Sequence, residues 1–287
     1  MKLVMTLLVR NEEDVLAANI EYHLARGVDF IIATDNRSED GTREILESYQ
    51  AKGVLRVIEE LSDDYDQRRW VTRMARLARR EHAADWVINA DADEFWWPTH
   101  AASLVEALAS CPGSTDAVLA ARHDFVPLRQ PASTSIVHAM TTRRAVTVNA
   151  HGEPPPPKIC HRAHKGVVVG QGNHDVYRRR GLLRRLRRLE AEERGLEILH
   201  FPLRTYAQFE RKIALGGAAY TRNSSVSKSE GSTWRMLYEQ YLAGDLPRFF
   251  EREVPSDADL AQGLADGRYV EDLRLATFLD ERVALPV

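Results

Sequence analysis

The sequence predicts an α/β protein with a mostly parallel central sheet and helices on both faces, on three observations. Apolar runs and helically spaced repeats alternate through roughly the first 120 residues, joined by short connections. The apolar runs are continuous rather than alternating, as in strands buried on both faces. Each run also ends in a polar cluster, and in parallel sheets ligands bind outside the carboxyl ends of the strands.

The elements follow in order. KLVMTLLV, residues 2–9, is the first buried strand. In NEEDVLAANIEYHLARG, residues 11–27, Val15, Leu16, Asn19, Ile20, His23 and Leu24 recur at helical spacing, acids fill the expected first turn, and Gly27 stops the helix. VDFIIATD is a second strand, and the turn-rich NRSEDGT leads to the helix REILESYQAKG, with Asp40 or Thr42 as its cap. VLRVIEE is a third strand, Asp66 to His82 a helix, and DWVINADADEF a fourth strand. The second half is less regular. DAVLAARHDFVPL reads as a strand entering a loop, four consecutive prolines from Pro154 exclude a helix interior or central strand there, and GVVVGQGNHDVY is strand-like. HFPLRTYAQFERKIALGGAAY begins at a strand end and continues as a helix, and the last 50 or so residues are mixed helical. Residues 1–125 and 126–287 are expected to be two halves of one continuous domain.

Composition bounds the function. A chain of 287 residues with 44% hydrophobic content can bury a core without metal or disulfide staples. The formal net charge of -3 gives no case for nucleic acid as a partner. Cysteine occurs twice, at Cys111 and Cys160, which excludes a disulfide framework and a CxxC zinc site and suits a reducing compartment. The N-terminal apolar stretch is too short for a signal peptide and no run reaches a membrane span, so a soluble cytoplasmic protein is expected.

Three polar clusters end strands: Arg10-Asn11-Glu12, Asp35-Asn36, and Asp91-Ala92-Asp93-Glu94. In extended backbone Asp91 and Asp93 project to one side, where their like charges call for a compensating cation. Oxygen ligands with no nearby Cys or His favour Mg²⁺ or Mn²⁺, which bridge nucleotide phosphates. The plainer alternative is an acidic cap on a helix beginning near Pro98. Asp35 suits hydrogen bonds from a base or ribose. Arg68, Arg69 and Arg73 are read as solvated helix-face residues before helpers of a phosphate site, and Lys158 as solvated before phosphate-bound.

LLVRNEEDVL, ATDNRSEDGT and WVINADADEFW, in this order and spacing, resemble the family 2-type glycosyltransferases of the nucleotide-diphospho-sugar (GT-A) fold over roughly residues 1–125. HFPLRTYAQFERK is similar to the later part of a bacterial subgroup of that superfamily. The resemblance implies a GT-A-like fold with an irregular C-terminal acceptor region. It implies a metal-dependent, inverting transfer of a sugar from a nucleotide-diphosphate sugar to the hydroxyl of a glycan, lipid-linked or small-molecule acceptor. On it, Arg10, Asn11, Glu12, Asp35, Asn36 and Asp91 line the nucleotide pocket. Asp91 and Asp93 bind the ribose and the diphosphate-bound Mn²⁺ or Mg²⁺, and His200 looks like the late histidine that completes the coordination; a satisfied core histidine is the other reading. The "ED" base common in that family has no clean match. Glu192-Glu193 is explained equally well by ion pairing in a charged helix. Asp175, beside His174 in GQGNHDV, is the preferred general base.

Leucines and arginines between Arg178 and Leu189 suggest a basic amphipathic segment. It either lies on an anionic membrane at the inner face or, as preferred, is a solvated helix whose leucines pack on the core. Two other functions use the same residues: a non-catalytic nucleotide-sugar or glycan-binding protein, and a metal-dependent phosphohydrolase.

Overall fold

The computed structural model describes residues 1–129, 135–149, 151–180, 182–186, 188–189, 195–223 and 231–282. Strand β1 (Leu3–Val9) is buried at every residue, as its unbroken apolar run requires. Parallel neighbours flank it on both edges: β2 (Phe30–Asp35) and β4 (Trp86–Asp91). Strand β3 (Leu55–Glu59) lies parallel outside β2. Helices α1 (Leu16–Ala25), α2 (Thr42–Ala51) and α3 (Gln67–Glu81) make the crossovers.

Beyond β4 the sheet becomes mixed. Strand β8 (Lys158–Arg162) runs antiparallel between β4 and β6 (Ala117–Asp124). Strand β13 (Leu196–His200) lies parallel to β6, and β5 (Glu94–Pro98) is antiparallel to β13. With β12 (Arg188–Leu189) beside β6, the sheet has nine strands among the described residues, ordered β3-β2-β1-β4-β8-β6-β13-β5 along its main path. Two small sheets join it: β9 (Val167–Val169), β10 (Val176–Arg180) and β11 (Leu182–Arg185) form one, and β7 (Thr142–Arg144) with β14 (Tyr269–Glu271) the other.

Helices cover both faces of the sheet. Trp70, Val71, Met74, Ala75 and Ala78 of α3 pack with Val4, Leu8, Ile32 and Val87 on one side. On the other, Leu16 and Ile20 of α1, Leu104 and Leu108 of α4 (Leu104–Ala109), and Leu275 and Leu279 of α10 (Arg274–Arg282) pack with Met5, Leu7, Ile31 and Ile88. Each Val, Leu, Ile or Met side chain among them contributes about 1.5–3 kcal/mol on full burial. Short α5 (Ile136–Ala139) also enters this cluster. A third apolar cluster joins α6 (Tyr206–Arg222), α7 (Ser232–Ala243) and α8 (Leu246–Glu253), and α9 (Asp257–Ala265) follows them. Among the described residues no helix is long and apolar enough to cross a membrane.

The α/β class and its mostly parallel first half are as expected, but three local expectations change. The first helix starts at Leu16, after the acids rather than through them. The Glu12 carbonyl accepts from Val15 and Leu16 N–H, while Arg204 engages the Glu12 and Asp14 side chains. The fourth strand breaks after Asp91 and resumes at Glu94 as β5, so no helix begins near Pro98; the next starts at Leu104, with the Ser103 hydroxyl accepting from Glu106 N–H. The basic segment from Arg178 is strand rather than helix, because pairing of Val176–Arg178 with Val167–Val169 draws it into a sheet and outweighs the helical propensity of Arg and Leu. Glu192 and Glu193 lie outside the described residues.

Candidate active site

Register builds the site before any side chain is considered. Val9 pairs with Asp35 and Leu8 with Asp91, so β1, β2 and β4 end level and deliver Arg10-Asn11, Asp35-Asn36 and Asp91 to one edge. On the far side His200 pairs with Asp124 across β6 and with Glu94 across β5. Phe201 N–H donates to the Asp93 carbonyl, which seats Asp93 beside His200. The strand ends open into a cleft of about 880 Å³, the size of a site for a small ligand or cofactor.

At its floor, acids and cations interlock. Asp93, almost fully buried, accepts from the Lys212 ammonium through Oδ2 at 2.6 Å, with the Arg204 guanidinium 3.7 Å away. Burial alone would raise its carboxyl, but the Lys212 and Arg204 charges hold it well below the usual range. Arg204, itself buried, also bonds Asp14 and Glu12. Asp91 accepts from three protein donors: Gln67 at 3.2 Å and Asn173 at 3.4 Å on Oδ1, and Lys158 at 2.7 Å on Oδ2. Lys158 is therefore not a solvated lysine. It is buried between Asp91 and Glu94, which outweigh the burial that opposes its charge and raise its pKa. The Glu94 carboxyl is pushed up as well, by burial, despite the Lys158 charge.

The end of the cleft near β1 and β2 is polar and incompletely satisfied. Asn11, in the left-handed region at φ 56°, accepts from Glu39 N–H through Oδ1, and its buried Nδ2 has no partner among the described residues. Arg10 Nε is likewise buried without a partner, and burial lowers the pKa of that guanidinium. Such orphaned donors suit the acceptors of a ligand. Asn36 lines the cleft but spends its amide on the Glu60 and Ser62 carbonyls. Asp35 does not line it; its carboxylate accepts from Ser38 N–H and from Arg43, fixing the loop below. Glu12 is turned into the ion network rather than toward the β2 loop, and Thr42 receives its N–H instead of capping α2.

Of the two candidate bases, His174 lines the cleft and Asp175 does not. The Asp175 carboxylate pairs with Arg188. His174 donates from Nδ1 to the Pro157 carbonyl at 3.0 Å, leaving Nε2 as an acceptor, and burial with Lys158 nearby lowers its pKa to about 4. Phe95, Trp96 and Trp97 pack in the core beneath the site. Arg68, Arg69 and Arg73 lie off the cleft, and their helix contributes Gln67 instead.

Asp124, Gln67, Asn173, Arg204 and Lys212 were not singled out by the sequence clusters, and Lys158 was read there as solvated first. Asp124 had a signal, since ARHD ends a strand as ATD and NAD do.

Among the described residues no three His, Cys, Asp or Glu side chains form a metal-binding group. On the cleft floor His200 Nε2 faces Asp93 Oδ1 at 3.7 Å, while His200 Nδ1 bonds Asp124 at 2.7 Å. The facing atoms are too far apart for a hydrogen bond and spaced for joint ligation of a cation. Two protein ligands, with phosphate oxygens and water for the remainder, fit the habit of Mg²⁺ and Mn²⁺ at nucleotide sites. Asp91, occupied by Lys158, Gln67 and Asn173, fits less well as a third ligand.

No curated protein matches this sequence. Among solved structures, the chain is similar to S. aureus TarS residues 1–349, with TM-score 0.44 and 11% identity over 98% of this chain and 90% of that one. TarS 1–349 in complex with UDP-GlcNAc gives 0.43 and 12% over 93% of each chain. Glucosyl-3-phosphoglycerate synthase from Mycobacterium tuberculosis, in complex with Mn²⁺, UDP and glucosyl-3-phosphoglycerate, gives 0.31 and 19% over 42% of this chain and 44% of that one. Likenesses this distant assign no chemistry to the cleft. The sequence model of glycosyltransferase family 92, by contrast, matches residues 5–170, which carry β1 through β9 and the Asp91–Glu94 cluster. More than half of the 287 residues fall within that match, and the chain belongs to glycosyltransferase family 92.

Proposed function

We propose that the protein transfers a hexose from a nucleotide-diphosphate sugar to an acceptor hydroxyl, with inversion and with Mn²⁺ or Mg²⁺ bound by Asp93 and His200. The observation that carries this reading is the ligand-like pairing of His200 Nε2 with Asp93 Oδ1 on the floor of the cleft. Membership of family 92 supplies the transfer, and the family 2 likeness in the sequence supports inversion. A bound cation neutralises charge on the departing diphosphate.

The chain's own groups do the rest. Lys212 and Arg204 favour the ionised form of Asp93. Lys158, Gln67 and Asn173 immobilise Asp91 at the edge where a ribose would rest. Arg10, Asn11 and Asn36 present the polar wall for the nucleoside. His174, kept neutral by burial and fixed through Nδ1, takes the acceptor's proton at Nε2, in preference to the ion-paired Asp175. In this reading residues 1–125 hold the donor and 126–287 the acceptor, which is a glycan, a lipid-linked molecule or a small molecule met in the cytoplasm or at the inner membrane face.

Thermal-shift measurements with ADP, CDP, GDP and UDP, each with and without Mn²⁺, test the reading. One nucleotide should stabilise the protein in a metal-dependent manner, and Asp93→Ala should abolish that shift. Binding indifferent to both metal and Asp93 would overturn it. Metal-dependent binding without hydrolysis or transfer of the matching nucleotide sugars would leave a binding protein in place of an enzyme. His174→Ala should lower transfer by roughly 10²–10⁴-fold, as loss of a general base does, with nucleotide affinity retained.

A further inference from the structure

We propose that Asp124 is the positioning residue of the metal pair: it fixes the ring and tautomer of His200 so that the Nε2 lone pair faces Asp93. This rests on the assignment of Asp93 and His200 as cation ligands. Asp124 and His200 end neighbouring parallel strands and stand directly opposite in register. A carboxylate only accepts hydrogen bonds, so the 2.7 Å contact between Asp124 Oδ1 and His200 Nδ1 puts the proton on Nδ1. In the neutral ring Nε2 is then bare, and it faces a carboxylate oxygen 3.7 Å away. An acceptor facing an acceptor is unfavourable unless a proton or a metal ion lies between them, and 3.7 Å is too long for the hydrogen bond a proton would make.

Asp124 is itself held from two sides. Its N–H donates to the Thr147 hydroxyl at 3.0 Å, and Arg122 Nε lies 3.1 Å from the same Oδ1 that holds the histidine. The carboxylate is nearly buried, on a strand whose partners β8 and β13 carry Lys158 and His200 to the same floor. A carboxylate behind a ligating histidine, oriented by its own strand, is the arrangement that sets the direction and basicity of a metal-binding imidazole.

The test measures Mn²⁺ binding by electron paramagnetic resonance of the free ion, in the presence of whichever nucleoside diphosphate the thermal-shift screen selects. Asp124→Ala should weaken Mn²⁺ binding by about 10- to 100-fold, as loss of such an outer partner does. Asp124→Asn still accepts from Nδ1–H through its amide oxygen and should restore affinity to within a few-fold of wild type. His200→Ala that leaves Mn²⁺ affinity unchanged would remove the ligand assignment, and this proposal with it. His200→Ala that weakens binding while Asp124→Ala does not would overturn the positioning role alone. Nitrogen-15 histidine spectra of the wild type, with the His200 signals identified by their loss in His200→Ala, should show the Nδ1–H tautomer. An Nε2–H tautomer would refute the proposal even where Asp124→Ala fails to fold.

Discussion

His23 on α1 shows how one buried ring couples the core to pH. Its Nδ1 donates to the Asn19 carbonyl at 2.8 Å, and its Nε2 accepts from Trp96 N–H at 3.2 Å, so both nitrogens are used in the neutral form. A second proton would cost the Trp96 bond and place a charge among Tyr22 and Phe95. Burial lowers the His23 pKa to about 4. A folded-state value depressed below the ordinary one means that the unfolded chain binds the proton more readily. The contribution to stability is whole above pH ~6.5 and is lost as pH falls toward 4. Between pH 7 and pH 5 the loss is about 2 kcal/mol. Urea unfolding of wild type and His23→Gln at both pH values isolates it, since the acids common to both cancel. The stability gap between the two proteins should narrow by that amount at pH 5, and an unchanged gap would show that His23 is not held neutral.

At the scale of elements, the α6–α7 pair argues through its glycines. Gly216 and Gly217 sit inside α6, where glycine costs about 1 kcal/mol relative to alanine. A Cβ on Gly217 would lie 2.5 Å from Tyr238 Cβ and 3.1 Å from the Trp234 carbonyl oxygen; one on Gly216 would meet the Trp234 ring at 2.4 Å. Neither Tyr238 Cβ nor a carbonyl can swing aside. Gly217→Ala should therefore destabilise by about 1–2 kcal/mol, because overpacking outweighs the gain in helix propensity. A raised urea midpoint would show that the helices can separate at no cost. What was legible in the sequence was of this local kind. Unbroken apolar runs marked β1, β2 and β4, and level strand ends then placed Asn11, Asn36 and Asp91 on one edge. Lys158 and Lys212 were illegible because their partners lie 67 and 119 residues away, and nothing local marks an ion pair of that span. The arginine-rich segment misled because leucine and arginine favour a helix in isolation, whereas strand pairing with β9 is a property of the fold.

Across the whole molecule, Arg204 ties the two halves of the chain together. From the loop after β13 it bonds Asp14 at 2.7 Å, engages Glu12, donates to the Phe201 carbonyl and approaches Asp93. Its side chain is fully buried. Removing one partner of such a network leaves the others charged and uncompensated, at about 3–5 kcal/mol. Arg204→Met should show this loss in urea unfolding, and Arg204→Lys should restore little of it, because one ammonium cannot span the fork that serves Glu12 and Asp14. Full stability in Arg204→Met would mean that the two halves hold together without it.

The antiparallel β8, lodged between β4 and β6, carries a consequence for how the chain acquires its shape. During synthesis β1 to β4 emerge in order and can pair at once, but the far edge of β4, the strand that ends in Asp91, waits some 70 residues for β8. Until then an apolar strand with unpaired backbone groups is open to other chains, the condition under which folding intermediates aggregate. Closure of that edge brings Lys158 to Asp91 and Glu94, so the cluster becomes electrically balanced only when this late, long-range pairing forms. The charge balance of the cleft is thus a late product of folding, and a chain stalled before β8 would carry its acids on an adhesive edge.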